Sequence, residues 1–205
     1  MKKLLVLGAS GDGKVVADIA LQNEYSEIAF LDDNDKIKEC LGFPVIGTIS
    51  TYKEFINEYD FFIAIGNPAT RKRIYENLVA DGCSVVTLIH PSAIVARSVS
   101  IGFGTVVMAG AVINPSVKIG NGCIINTCAS VDHDCILEDF VHISVGAHLA
   151  GTVVVKESTW IGIGAVVSNN LEIASGCMIG AGAVAVENIN EKGTYVGVPA
   201  RKIQK

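Results

Sequence analysis
The sequence predicts a two-part chain. A small α/β domain with a parallel sheet occupies residues 1–90, and a three-sided parallel β-coil of about five turns occupies 91–205. Three observations carry this. Fifteen consecutive positions at step six, from Val95 to Ile179, are all Val, Ile or Leu. The first 90 residues alternate short apolar runs with segments of helical spacing. The first 90 residues also hold 22 of the 37 charges, and only 8 lie between 98 and 186. The halves therefore obey different rules, with His90-Pro91 as the boundary.

In the first part, Lys3 to Leu7 is an apolar run closed by Gly8, a buried strand. Gly8 to Gly13 is a loop, and Val15, Val16, Ile19 and Ala20 place a helix over Lys14 to Gln22. Glu27 to Leu31 is a second strand, ending at Asp32-Asp33. Ser50 precedes Tyr52, Phe55 and Ile56 as the cap of a further helix. Phe61 to Ile65 is a third strand, closing on Gly66-Asn67-Pro68. Ala69 to Ala80 is a helix with Arg71, Lys72 and Arg73 on outer positions, and Val85 to Ile89 is a fourth strand. Strands alternating with helices give a small parallel sheet.

In the second part, the residue four places after each hexad start is small or aliphatic and never charged, from Val99 and Thr105 to Cys177 and Ala183. An even separation puts both residues on one strand face. One short strand per hexad closes a coil every 18 residues, and five coils stack to about 24 Å at roughly 4.8 Å per strand. The narrow bore takes Ala and Cys and excludes rings, which accounts for an aromatic fraction of only 6% in a chain that is half hydrophobic. Gly pairs such as Gly102/Gly104, Gly120/Gly122 and Gly162/Gly164 suit corners with positive φ. The open ends need caps; the α/β domain can cover one and Glu187 to Lys205 the other.

Composition excludes several classes. The hydrophobic content rules out disorder, and a net charge of −5 argues against a general nucleic-acid binder. The run from Ser98 to Val117 is 20 uncharged residues, a bilayer's length, but it follows the hexad frame and reads as roughly one coil, with no membrane insertion. Only Leu4 to Leu7 separate the basic start from Gly8, too short for a signal peptide, so a cytoplasmic protein is expected. The six cysteines contain no C-x-x-C pair and are expected to be small buried hydrophobes.

These features resemble the left-handed β-helix (hexapeptide) acyltransferases. More narrowly, the chain resembles the PglD-type nucleotide-amino-sugar N-acetyltransferases, which are grouped with the NeuD sialic acid O-acetyltransferases. The hexads, the Gly8–Gly13 loop, Phe30-Leu31-Asp32-Asp33, Phe61 to Asn67, Val131-Asp132-His133-Asp134 and Val196 to Arg201 carry the likeness. It implies a Rossmann-like N-terminal domain for a nucleotide sugar and a left-handed parallel β-helix for acetyl-CoA. It further implies a homotrimer with coenzyme A between adjacent subunits. Acetyl transfer to a sugar amine is expected, with O-acetylation of sialic acid or a related hydroxyl as the alternative.

Acetyl transfer needs a base for the amine proton and donors for the thioester oxyanion. His133, near a strand end and flanked by Asp132 and Asp134, suits the base; the plain alternative is a solvated corner. The resemblance makes His133 the general base and Asp134 its partner, an Asp where relatives often have Glu. His142 and His148 share hexad position six and are expected at neighbouring corners. The resemblance sets His142 beside acetyl-CoA, gives Ile163 and Ala181 backbone contacts to pantetheine, and gives Gly151 a close approach. Spacings of 9 and 6 spread the three histidines apart, so no metal is expected. The pattern Gly8-x-Ser10-Gly11-x-Gly13 fails the dinucleotide fingerprint at its second Gly, yet a strand–helix loop can still hold phosphate. Ser10, Gly11 and Asp12 are read on the pyrophosphate side, Asp32 and Asp33 on base or ribose, and Gly66 and Asn67 complete the pocket. Relatives often carry His at Asp12; an anion avoids phosphate, so Asp12 faces a sugar amine or hydroxyl, or points away.

Overall fold
The computed structural model describes residues 2–203, so Met1 of the basic start and Gln204 and Lys205 of the expected cap lie outside it. The chain divides into two compact units, one ending at Pro91 and the other starting at Ser92.

The first unit is a five-stranded sheet in the order β3-β4-β2-β1-β5, with β1 Lys2–Leu7, β2 Tyr25–Leu31, β3 Glu39–Cys40, β4 Phe43–Gly47 and β5 Asp60–Ile63. β1 is an inner strand, fully buried from Leu4 to Leu7, the consequence of an unbroken apolar run. It pairs in parallel with both β2 and β5, and Leu7 is the register partner of Leu31 and of Ile63. Three parallel strands therefore end side by side. Helices α1 (Gly11–Gln22) and α2 (Pro68–Ala80) follow β1 and β5.

Several expectations need correction. The β3–β4 hairpin went unread because its turn is Leu41-Gly42, both at positive φ (52° and 77°), and Leu is not a turn former. α1 begins at Gly11, inside the expected loop. The helix expected after Ser50 is a 3-10 helix over Ile49–Phe55 that follows Thr48, so Ser50 lies within it. The expected fourth strand reduces to a bridge between Val85 and Phe61 and a two-residue strand at Leu88–Ile89. Arg71 is not on an outer position: it is 1% exposed, and its Nη1 donates to the carbonyls of Ile65 and Gly66, both at 2.8 Å. Those two bonds offset the cost of burying the guanidinium.

The second unit is the β-helix. Sixteen two-residue strands run at step six from Ile94–Val95 to Val184–Ala185. Each pairs in parallel with the strand 18 residues on, for example Val112 with Ser130 and Ile124 with His142. Three flat faces result. One carries strands at 94, 112, 130, 148, 166 and 184; the second those at 100, 118, 136, 154 and 172; the third those at 106, 124, 142, 160 and 178. Inward residues pack the bore at close to zero exposure, including Ala111, Ala129, Ala147, Ala165 and Ala183 stacked behind the first face. Where the bore admits a polar atom, it is bonded: Thr105 Oγ1 donates to Gly120 O (2.9 Å) and accepts from Cys123 N (3.0 Å). At the far end Thr194–Val196 pairs with the strand at Met178–Ile179 and forms a hairpin with Arg201–Lys202, continuing the third face. Cys128 departs from the expected burial and is exposed.

From the second hexad on, the turns share one conformation. Fourteen positions at step six, from 104 to 182, have positive φ between 55° and 68°. Seven are Gly, and seven are Ser116, Cys128, Asp134, Phe140, Thr152, Ser158 and Asn170. Within each Gly pair only the second member is left-handed. The first is a close approach: an added Cβ at Gly102 would lie 2.6 Å from the Gly120 carbonyl carbon. At Gly122 both demands meet, because φ is +59° and an added Cβ would lie 2.6 Å from the Phe140 ring. Gly122→Ala is expected to cost roughly 2 kcal/mol, from left-handed strain plus displacement of a buried ring. A drop in Tm by circular dichroism checks this, and an unchanged Tm refutes it.

Candidate active site
The exposed His133 sits on the turn between the first and second faces, where the positive-φ frame puts Asp134 next in line at φ 60°. That conformation, which Asp tolerates better than most residues, sets the carboxylate beside the ring. His133 Nδ1 lies 2.8 Å from Asp134 Oδ2. An ionised Asp134 accepts from Nδ1–H, which leaves Nε2 as the basic nitrogen. Asp132 stands on the other side, accepting the His133 backbone N–H (2.7 Å) and Asn114 Nδ2 (2.8 Å) at the same oxygen. The Asp134 hydrogen bond, and after it the Asp132 charge, push the imidazole pKa up. Asn114 and the His133 N–H hold the Asp132 carboxyl down.

The corner itself is fixed by the adjoining coils. Asp134 N donates to Pro115 O, and Thr152 N donates to His133 O at 2.9 Å. Gly151, one coil on, leaves the space the ring fills: an added Cβ would lie 2.6 Å from His133 Nε2 and 2.7 Å from Cε1.

His142 lies elsewhere. Hexad position six is the outward residue of a strand, so His142 and His148 stand on adjacent flat faces and not at corners. His142 is on the third face, opposite the His133 corner, and is buried. Its ring stacks on Trp160 at 4.5 Å and 24°, and its Nε2 is 3.3 Å from Asn126 Nδ2. Trp160 is held by Ser144 through a 2.6 Å bond to Nε1. Trp160, Ser144 and Asn126 escaped the sequence reading, although their 18-residue offsets from His142 or from one another were visible in the repeat. His148 Nδ1 is 2.8 Å from Ser130 Oγ on the first face. Ile163 and Ala181 occupy the corner between the third and first faces, both exposed. Thus His133, Asp134 and Gly151 come together, while His142, Ile163 and Ala181 lie across the prism.

In the first unit, the loops after β1, β2 and β5 meet at the strand ends, the position at which open α/β sheets hold ligands. Gly8 is left-handed (φ +107°), and an added Cβ would lie 2.7 Å from Ala64 O; one at Gly13 would lie 2.3 Å from Gly8 O. These two glycines serve close packing of the loop and α1. Gly11 has nothing within 4 Å of an added Cβ and, like Ser10, faces open space. Asp32 braces the loop, accepting from Ala9 N (2.7 Å) and Asn34 N (2.8 Å), and Asp33 accepts from Ile49 N (3.0 Å). Asn67 caps α2 through Thr70 N, and Gly66 holds Arg71. Asp12, in the first turn of α1, is half-buried; burial pushes its carboxyl pKa up and the Arg71 charge partly opposes this. Among the described residues, no helix is long and apolar enough to cross a membrane, and Ser98 to Val117 folds as coil strands.

A carboxylate-held imidazole on the corner of a hexad prism, carried with a strand–helix unit, defines a hexapeptide acyltransferase. Residues 3–78 match the family model described as the PglD N-terminal domain. The acetyltransferase domain of PglB from Neisseria gonorrhoeae is 44% identical, covering 99% of this chain and 100% of that chain, with a TM-score of 0.95. The same domain in complex with acetyl coenzyme A is 45% identical, covering 98% and 99%, with a TM-score of 0.95. PerB from Caulobacter crescentus, in complex with CoA and GDP-perosamine, is 34% identical over 100% and 98%, with a TM-score of 0.95. The UDP-N-acetylbacillosamine N-acetyltransferase of Bacillus subtilis is 39% identical over 114 residues, 53% of this chain and 52% of its own length. The chain spans about half the length of the curated relatives it matches. The chain belongs to the PglD-type family of nucleotide-amino-sugar N-acetyltransferases, within the left-handed β-helix acyltransferases.

Proposed function
We propose that this chain transfers acetyl from acetyl-CoA to the amine of a nucleotide-linked amino sugar, with His133 as general base. The observation that carries this is the 2.8 Å His133–Asp134 pair on an exposed corner, with Nε2 left as the basic atom. The amine nitrogen attacks the thioester carbonyl, the C–N bond forms, and the amine proton passes to Nε2. The tetrahedral oxyanion then collapses, the C–S bond breaks, and the coenzyme A thiolate leaves, taking a proton. Asp134 holds the ring tautomer and stabilises the imidazolium. Among the described residues, no cysteine is placed to relay the acetyl group near His133: Cys135 is turned into the bore, where burial pushes its thiol pKa up.

The α/β unit holds the nucleotide in this reading, with Ser10 and Gly11 open at the loop and Asp32, Asp33, Gly66 and Asn67 framing the strand ends. Asp12, half-buried and within reach of the Arg71 charge, is given no phosphate contact in this reading. Coenzyme A takes the surfaces of His142, Ile163 and Ala181, while Gly151, buried against the His133 ring, bounds the site through that ring. Because His133 and His142 stand on opposite sides of one prism, a site using both draws them from two chains, and a homotrimer closes that contact. The outward apolar residues Ile94, Val112, Val166 and Val184 of the first face support such an assembly. Acetyl-CoA and sugar nucleotides are cytoplasmic metabolites, which supports a cytoplasmic enzyme.

The test is coenzyme A release, followed with a thiol reagent, across UDP- and GDP-linked 4-amino sugars and free sialic acid. Release with a nucleotide amino sugar and none with sialic acid is expected. Release with sialic acid alone overturns the reading in favour of O-acetylation, and the absence of release with every acceptor points to a non-enzymatic module.

A further inference from the structure
The His133 corner has two carboxylates, and the acetyl-transfer reading uses only one. Asp132 does not touch the imidazole. Its Oδ1 accepts from the His133 backbone N–H at 2.7 Å and from Asn114 Nδ2 at 2.8 Å. Asn114 stands 18 residues earlier, directly over Asp132 in the preceding coil: their backbones are joined by the Asn114 N to Val131 O bond of 2.9 Å. The carboxylate is therefore fixed from two sides, one of them rigid coil. The other neighbours of the ring along the corner are Pro115 and Gly151, which carry no charge. Asp134 is the second acid facing the ring, and Arg97 is two coils away on the same corner.

We propose that Asp132, anchored by Asn114, is a positioning residue for the base: it pins the backbone of the His133 corner and sets a fixed negative charge beside the imidazole. This rests on His133 being the base. The pinning determines where Nε2 points. The charge favours the imidazolium that forms when the amine proton arrives, so it strengthens the base and also moves the pH at which the neutral base becomes available upward.

The experiment separates charge from placement. D132N keeps an acceptor for the His133 N–H and removes the charge. It should move the acidic limb of the kcat/KM profile down by about half a pH unit, the size expected of one charge at about 6 Å in water. The C2 proton of His133, titrated by NMR, should shift its midpoint equally, and that readout needs no turnover. N114A keeps the charge and loosens it, so kcat should fall several-fold with the midpoint unmoved. D132S carries the same expectation as D132N should the asparagine variant fold poorly. An unmoved midpoint by NMR in a folded Asp132 variant overturns the charge assignment, and wild-type kcat in N114A overturns the anchoring. His133→Ala with full activity would instead sink the base reading, while the NMR midpoint still reports on Asp132.

Discussion
Replacing His133 with alanine is expected to lower kcat for acetyl transfer by about 10²–10⁴-fold, the range for loss of a positioned general base. The KM for the nucleotide sugar should move little, because the nucleotide is assigned to the strand ends of the α/β unit. The fold should not suffer. His133 is exposed, and its coil is held by backbone bonds, including Thr152 N to His133 O and Asp134 N to Pro115 O, which the substitution leaves in place. Unchanged melting with lost turnover is therefore the expected pair of results. A fully active His133→Ala variant refutes the mechanism.

Gly151→Ala is expected to reduce kcat by about 10–10²-fold without touching any group that reacts, since misplacing a catalytic group by about 1 Å can cost 10²-fold. The methyl group would lie 2.6 Å from Nε2, well inside van der Waals contact. The coils cannot separate to relieve this, because Thr152 N is bonded to His133 O at 2.9 Å. The ring must turn, and turning it breaks the 2.8 Å bond to Asp134. Gly151 is not among the left-handed glycines, so alanine brings no backbone strain and the protein should melt normally. Because the effect runs through the imidazole, Gly151→Ala added to His133→Ala should cost nothing further. Additive losses would mean that Gly151 acts on the substrates directly.

The β-helix was legible because its period is imposed by the bore: a narrow interior admits Val, Ile, Leu and small residues at two places per hexad and nothing else. The corners were half legible. Gly104, Gly122 and Gly164 announce positive φ, but Phe140, Thr152 and Cys128 take the same conformation because the coils on either side dictate it, against residue preference. Arg71 misled because a basic residue on a helix is ordinarily solvated, and its partners, two main-chain carbonyls, leave no mark in a sequence. His133 stood out by its acidic neighbours. Its seat did not, since Gly151 is one glycine among 21 until the 18-residue offset aligns it with the ring.

The repeated left-handed corner also constrains how this molecule can change length. Losing or gaining six residues keeps every bore residue in the bore, yet carries everything downstream one face around the prism. A hexad removed between His133 and His142 would move His142 to the second face while leaving the interior intact. Only changes of eighteen restore both interior and facing. Insertions and deletions in this half are thus quantised, with the hexad as the unit that preserves folding and the full coil as the unit that preserves the site.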